Sequence, residues 1–203
     1  MKNILLFICI LICFAGCKKK NDTVDSSGTH VFKGIVVTDE SGNAMGTWGT
    51  EDGDWVNDAS WSSGELNLLN FPDTVSLEGT YINDTIGWDS LKGIHEKPRN
   101  LVAAFPNPFS SKSFLVFGNY GNLKLKVAIV DKNFNRLETI CQKWSGLMEK
   151  MMDFSDSTKY PEGIYRVYYS FSAKDSVNFY KGHGDILICR DQSNWQGCKN
   201  MVP

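Results

Sequence analysis

The chain of 203 residues contains three histidines, His30, His95 and His183. A nucleophilic site would need one of them as a base beside a Ser or Cys, with a third group to orient it. His30 and His95 lie in polar stretches without periodicity. His183 alone falls within an expected strand, in the run Gly182-His183-Gly184-Asp185. Residues two apart on a strand share a face, so His183 and Asp185 have the spacing of an acid–base pair. The plainer reading, a solvent-facing pair beside a bulge, is the one we adopt. A second acidic run, Thr50-Glu51-Asp52-Gly53-Asp54-Trp55, places Asp52 and Asp54 around a glycine as some calcium loops do. Such a loop closes with a Glu at its twelfth position. Counted from Asp52 that position is Ser63, so an Asp-rich turn is expected. No catalytic set, metal site or cofactor site is expected.

Trp48, Trp55 and Trp61 are clustered in a stretch rich in Gly, Asp and Asn. Aromatic rings on loops stack on sugars or anchor protein partners. They are therefore the candidate binding residues, although they serve equally to close a core over a thin N-terminal hairpin.

The cysteines carry different chemistry. Met1-Lys2-Asn3 is a short basic head, and Ile4 to Ala15 is an uncharged apolar run. Roughly twelve helical residues span about 18 Å, whereas a membrane-crossing helix takes roughly 20 residues. The run has the length of the apolar core of a secretory signal. It ends at Phe14-Ala15-Gly16-Cys17, which resembles the bacterial lipobox; Phe14 stands where an aliphatic residue is usual. The resemblance implies cleavage before Cys17, a diacylglycerol thioether on its sulfur, and attachment to a membrane through two or three acyl chains, since one chain binds only marginally. A plain secretory signal whose core uses Cys, as Cys9 and Cys13 do, is the alternative. The cellular address expected is the cell envelope, with the outer membrane as the anchoring surface.

Three cysteines follow Cys17: Cys141, Cys189 and Cys198. Disulfides persist outside the cytosol, and three thiols form at most one bridge within the chain. Cys189 and Cys198 enclose a polar loop with a glycine and are the expected pair, leaving Cys141 as a buried thiol. Three unbridged buried thiols are the alternative. There is no CxxC spacing for zinc.

The formal charge is −2, and no basic stripe marks a nucleic-acid binder. The organisation read from the chain is a signal peptide over 1–16, a flexible tether over 17–30, a β-hairpin and Trp-rich loop region over 31–98, and a β-sandwich over 99–203. Strand signals run through 31–38, 44–48, 101–105, 113–117, 123–130, 136–141, 150–154, 164–171 and 177–189. Leu123, Leu125, Val127 and Ile129 alternate with polar positions, as do Tyr165, Val167, Tyr169 and Phe171; such alternation marks strands with one buried face. Residues 62–69 offer one or two helical turns, with Ser62 as cap and Glu65 three residues on. Residues 74–98 read as a weak strand or two and a linker. At Gly182-His183-Gly184 the alternation breaks, which predicts a bulge or bend. The fold class expected is all-β, an immunoglobulin-like antiparallel sandwich.

Three stretches carry a family resemblance: Phe105-Pro106-Asn107-Pro108-Phe109, Leu125 to Leu137 (LKVAIVDKNFNRL) and Tyr160 to Tyr169 (YPEGIYRVYY). In this order they resemble the type A C-terminal sorting domain of the type IX secretion system of Bacteroidetes. Asn135 stands where that family usually has Gly. The resemblance implies a seven-stranded sandwich in an envelope protein. The family's domain normally ends the chain, whereas here residues 184–203 continue past it, and its cargo normally bears a plain signal. The expectation is therefore a lipid-anchored, non-catalytic envelope protein acting as an interaction or structural module. The alternatives are a secretion client and a carbohydrate-binding module. The partners expected are the membrane through Cys17 and a protein or glycan, with no nucleic acid.

Overall fold

A computed structural model describes residues 31–50, 54–58, 60–72, 101–173 and 176–203. Cys17, the signal and tether, His30, His95, Asp52 and the weak strands read over 74–98 lie outside the described residues.

The described chain is built of antiparallel strands with very little helix. In order these are β1 (Gly34–Thr38), β2 (Ala44–Gly49), β3 (Val56–Asn57), the helix α1 (Ser63–Leu68), β4 (Leu101–Phe105), β5 (Lys112–Val130), β6 (Arg136–Asp153), β7 (Gly163–Ala173), β8 (Ser176–Ile188) and the helix α2 (Trp195–Lys199). Strands β1 and β2 form a hairpin. The other strands form one six-stranded sheet ordered β3-β8-β7-β5-β4, with β6 also paired to β5.

Two strands are longer than the sequence suggests. The separate segments expected at 113–117 and 123–130 are one strand, β5, and those at 136–141 and 150–154 are one strand, β6. The β5–β6 ladder runs from Lys112↔Asp153 to Val130↔Arg136, with a register shift between Asn119 and Leu123. Before that shift β5 also pairs with β4, and after it with β7. The exchange of neighbours brings side chains of both halves into one core. Leu115 and Phe117 from the first half, Leu125, Val127 and Ile129 from the second, and Val167, Tyr169, Phe171 and Ile186 from β7 and β8 belong to one buried apolar cluster. Apolar surface removed from water stabilises at about 25 cal/mol per Å², so burying this cluster favours the fold.

The β5–β6 and β1–β2 turns use the same device. In each, an Asp accepts hydrogen bonds from the backbone two and four residues on and from the side-chain amide of the Asn four residues on: Asp131 with Asn133 and Asn135, and Asp39 with Ser41 and Asn43. The residue before the Asn has positive φ, 81° at Gly42 and 61° at Phe134.

The bulge expected at Gly182-His183-Gly184 is absent. The β7–β8 register runs unbroken from Gly163↔Ile188 to Phe171↔Tyr180. These glycines serve close approach instead. A Cβ on Gly184 would strike the Trp55 ring, and one on Gly182 would strike the Val56 carbonyl. Removing the side chains lets β3 lie against β8 at Val56↔His183 and Asn57↔Gly182.

Candidate functional site

Strands β7 and β8 present two buried faces. Tyr165, Val167, Tyr169 and Phe171 point into the apolar cluster. The residues between them point the other way, and Val31, Phe32, Asp54, Asp58, Trp61 and Glu65 lie against that second face. There the ladder sets Arg166 opposite Asp185 and Tyr168 opposite His183.

Arg166 is 1% exposed, and its Nε and Nη2 donate to the two carboxylate oxygens of Asp185, each at 2.7 Å. Nη2 also donates to the Val31 carbonyl at 3.2 Å, and the guanidinium lies 4.4 Å from the centre of the Phe32 ring. A paired, forked contact of this kind is the strong form of ion pair. Burial opposes the guanidinium's charge, and the Asp185 carboxylate more than offsets it, so the Arg166 pKa lies above its ordinary value.

His183 is buried too, which corrects the solvent-facing reading. Its Nδ1 lies 2.9 Å from Asp58 Oδ2; a carboxylate only accepts, so this is the bond of the tautomer with hydrogen on Nδ1. The same Asp58 oxygen accepts from Trp61 Nε1 at 2.5 Å. His183 and Asp185 share a strand face but are held by different partners.

Asp54 lies on the adjoining seam between β1 and β8. Its Oδ1 accepts from the Asp185 amide at 2.7 Å and its Oδ2 from the Val36 amide at 3.4 Å. Burial pushes its carboxyl well above the ordinary carboxylate range, and the Asp185 charge adds to the push. Glu65, 0% exposed, accepts from Tyr168 Oη at 3.0 Å with one oxygen and from the Ser62 amide at 2.8 Å with the other. Ser62 Oγ accepts from the Glu65 amide in return, which completes the reciprocal cap that the Ser62/Glu65 spacing predicts. Burial raises the Tyr168 hydroxyl pKa far above its ordinary value.

Asn107, in the Phe105–Phe109 stretch, ties the hairpin to this face. Its Nδ2 donates to the carbonyls of Val36 (2.9 Å) and Asp185 (3.0 Å), and its Oδ1 accepts from the Leu187 amide at 2.9 Å. Thr38 and Asn107 also exchange backbone bonds at 2.8 and 3.2 Å. All three of the side chain's buried bonding groups are thereby satisfied.

The three tryptophans occupy three places. Trp48 is half-buried beside Ile35, Val37, Leu187, Cys189 and Cys198, and meets Trp195 edge to face at 5.3 Å. Trp55, also half-buried, stacks on Tyr169 with 8° between the planes and packs on the main apolar cluster. Trp61 is buried, edge-on to Tyr168. Cys189 and Cys198 are joined by a disulfide with their Cα atoms 5.7 Å apart. This bond fixes α2 beneath Trp48. Cys141 is buried in β6.

Sequence reasoning missed Arg166, Tyr168, Asp58, Glu65 and Asn107 as members of one network. The available signal was an Arg and a Tyr on the nominally outward face of a strand with an apolar inner face. Among the described residues no group of three or more His, Cys, Asp or Glu side chains is placed to hold a metal ion. No helix among them is long and apolar enough to cross a membrane. No protein-family model matches the chain, and no curated protein matches it.

Proposed function

We propose that the protein is a lipid-anchored, non-catalytic envelope protein whose β-rich body is an interaction or structural module. The observation that carries this reading is the employment of the reactive side chains. His183, Asp185, Asp58, Asp54, Glu65 and Arg166 are buried, and their hydrogen bonds join Arg166 to Asp185 within the sheet and hold Val31, Asp54, Asp58 and Glu65 to it. Groups locked in this way have no surface at which to meet a substrate. The anchoring half of the proposal rests on the Ala15-Gly16-Cys17 end of the apolar run and is tested by metabolic labelling. Labelled palmitate is expected to enter the native protein and to be lost in Cys17→Ala; an unlabelled native protein contradicts it.

An immunoglobulin-like sandwich is the finer reading of the fold. Tyr165 Oη donates to the Pro161 carbonyl four residues upstream at 2.6 Å, the geometry of the tyrosine corner found at a strand start in such sandwiches. The same corner falls in the Tyr160–Tyr169 stretch that resembles the sorting domains. This favours, as a second reading, a secretion client exported through residues 103–188. Surface display unchanged by deleting those residues contradicts the second reading and leaves the first untouched.

A further inference from the structure

We propose that residues 191–203 are a redox-operated latch, closed on the β1–β2 hairpin and the end of β8 by the Cys189–Cys198 disulfide and released when a dithiol reduces that bond. The inference starts from a contrast between Arg190 and the residues after it. Arg190 is tied to the body through its amide, which donates to the Glu162 carboxylate, through Nη1, which donates to the Ser110 carbonyl, and through Nη2, which donates to the carbonyls of Phe154 and Tyr160 at 2.7 Å. Among the described residues, 191–203 have no such tie. Apart from the bridge's own sulfur contacts with the Asp191 carbonyl, their hydrogen bonds run from one member of the segment to another. The Ser193 amide and hydroxyl reach Asp191, the Asn194 side chain accepts from the Gly197 amide, and the amides of Cys198, Asn200, Met201 and Val202 bond to carbonyls between 194 and 199.

One covalent bond and a set of apolar contacts therefore hold the segment down. Helix α2 has five residues, of which Cys198 is the buried one; a helix this short does not persist alone in water. Cys189 and Cys198 share an apolar cluster with Ile35, Val37 and Leu187, on which Trp48 and Val202 pack. Trp195 is half exposed and meets Trp48 edge to face. The bridge joins positions nine apart. It restricts where the segment can go when the apolar contacts loosen, and that restriction is how a cross-link stabilises in the chain-entropy account.

The chemistry of release is thiol–disulfide exchange. A thiolate of the dithiol attacks one sulfur of the bridge, the S–S bond breaks, and a mixed disulfide forms. The second thiol of the reductant then attacks its own bound sulfur. Two electrons pass to the protein, Cys189 and Cys198 become protonated thiols, and the reductant leaves as a cyclic disulfide. Disulfides persist outside the cytosol and are kept reduced within it, so the latch is closed in an exported protein and open before export. This holds whether or not Cys17 carries lipid. Opening uncovers the side of Ile35, Val37 and Leu187 on which Cys198 and Val202 now pack.

The test is native-state hydrogen exchange of the full chain with and without dithiothreitol, the state of Cys189 and Cys198 being read by thiol labelling and peptide mass. The amides followed are those of Cys198, Asn200 and Met201, which bond to the carbonyls of Asn194, Gln196 and Cys198. Reduction is expected to lower their protection by about tenfold to a hundredfold and to shift tryptophan emission to the red as Trp48 and Trp195 part, while amides of the β5–β6 ladder keep their protection. A double variant, Cys189→Ala with Cys198→Ala, should show the same local loss without reductant and no further response to it. Protection at 198–201 that is unchanged in the double variant overturns the proposal, and so does a bridge that dithiothreitol leaves intact in the native protein. Loss that spreads to the β5–β6 ladder overturns it too, because the bridge would then hold the whole fold and not a latch.

Discussion

The two faces of β7 and β8 are buried alike but are built from opposite materials. One face carries Tyr165, Val167, Tyr169 and Phe171 into a mainly apolar cluster. The other carries Arg166, Tyr168, His183 and Asp185 under the N-terminal segment. The packing of the apolar face is largely non-directional, and swaps that conserve volume are the best tolerated there. On the polar face each group needs a particular partner at a particular distance: Arg166 needs Asp185, His183 needs Asp58, and Tyr168 needs Glu65. The difference teaches that residues with the chemical types of an active site can be fasteners. They add directional bonds to the apolar contacts that Ile35, Val37, Trp61 and Leu69 of the N-terminal segment make with the sheet.

The largest effects should come from breaking one fastener on each face. Asp185→Ala leaves the Arg166 charge buried and unpaired, an expected loss of about 3–5 kcal/mol. Phe171→Ala opens a cavity on the apolar face and is expected to cost about the same. Urea unfolding of the two variants compares the faces directly, and a loss well under 1 kcal/mol for Asp185→Ala would mean that the polar face contributes little. A smaller effect is expected where the faces meet at the sheet edge. Gly184→Ala forces a methyl group against the Trp55 ring, with an expected cost of about 1–3 kcal/mol and a red shift of tryptophan emission as the indole leaves Tyr169. The smallest effect is local to the covering segment. Ser62→Ala removes the acceptor for the Glu65 amide, an expected loss of about 1 kcal/mol. It should also speed hydrogen exchange in α1, leaving the β5–β6 ladder unchanged.

The apolar face was legible in the sequence and the polar face was not. Leu125, Val127, Ile129, Tyr165, Val167, Tyr169 and Phe171 alternate with other residues, and alternation states directly which side of a strand is dry. The strand positions on β7 and β8 and the cap at Ser62 follow from equally local signals. The merging of four expected segments into β5 and β6 was hidden, because the register shift near Asn119 lets a ladder pass through residues that locally resemble a break. His183 and Asp185 read as solvent-facing because alternation assigns polar residues to water, and Arg166 and Tyr168 carried no signal of a partner. Val31, Asp58 and Glu65, the partners of Arg166, His183 and Tyr168 respectively, come from more than 100 residues away in the chain, and no local pattern announces a partner at that separation. The glycines at 182 and 184 interrupt the alternation through the same long-range cause, the approach of Trp55 and Val56.

The central claim is that the buried charges are matched to each other for structure. A double-mutant cycle on Arg166 and Asp185, with stability read by urea unfolding, tests it most directly. Arg166→Met and Asp185→Leu should each cost about 3–5 kcal/mol, and the double variant should recover most of that loss because an apolar pair replaces the ionic one. Single losses that simply add in the double variant would contradict the account, since they would show that the two side chains are not each other's partners.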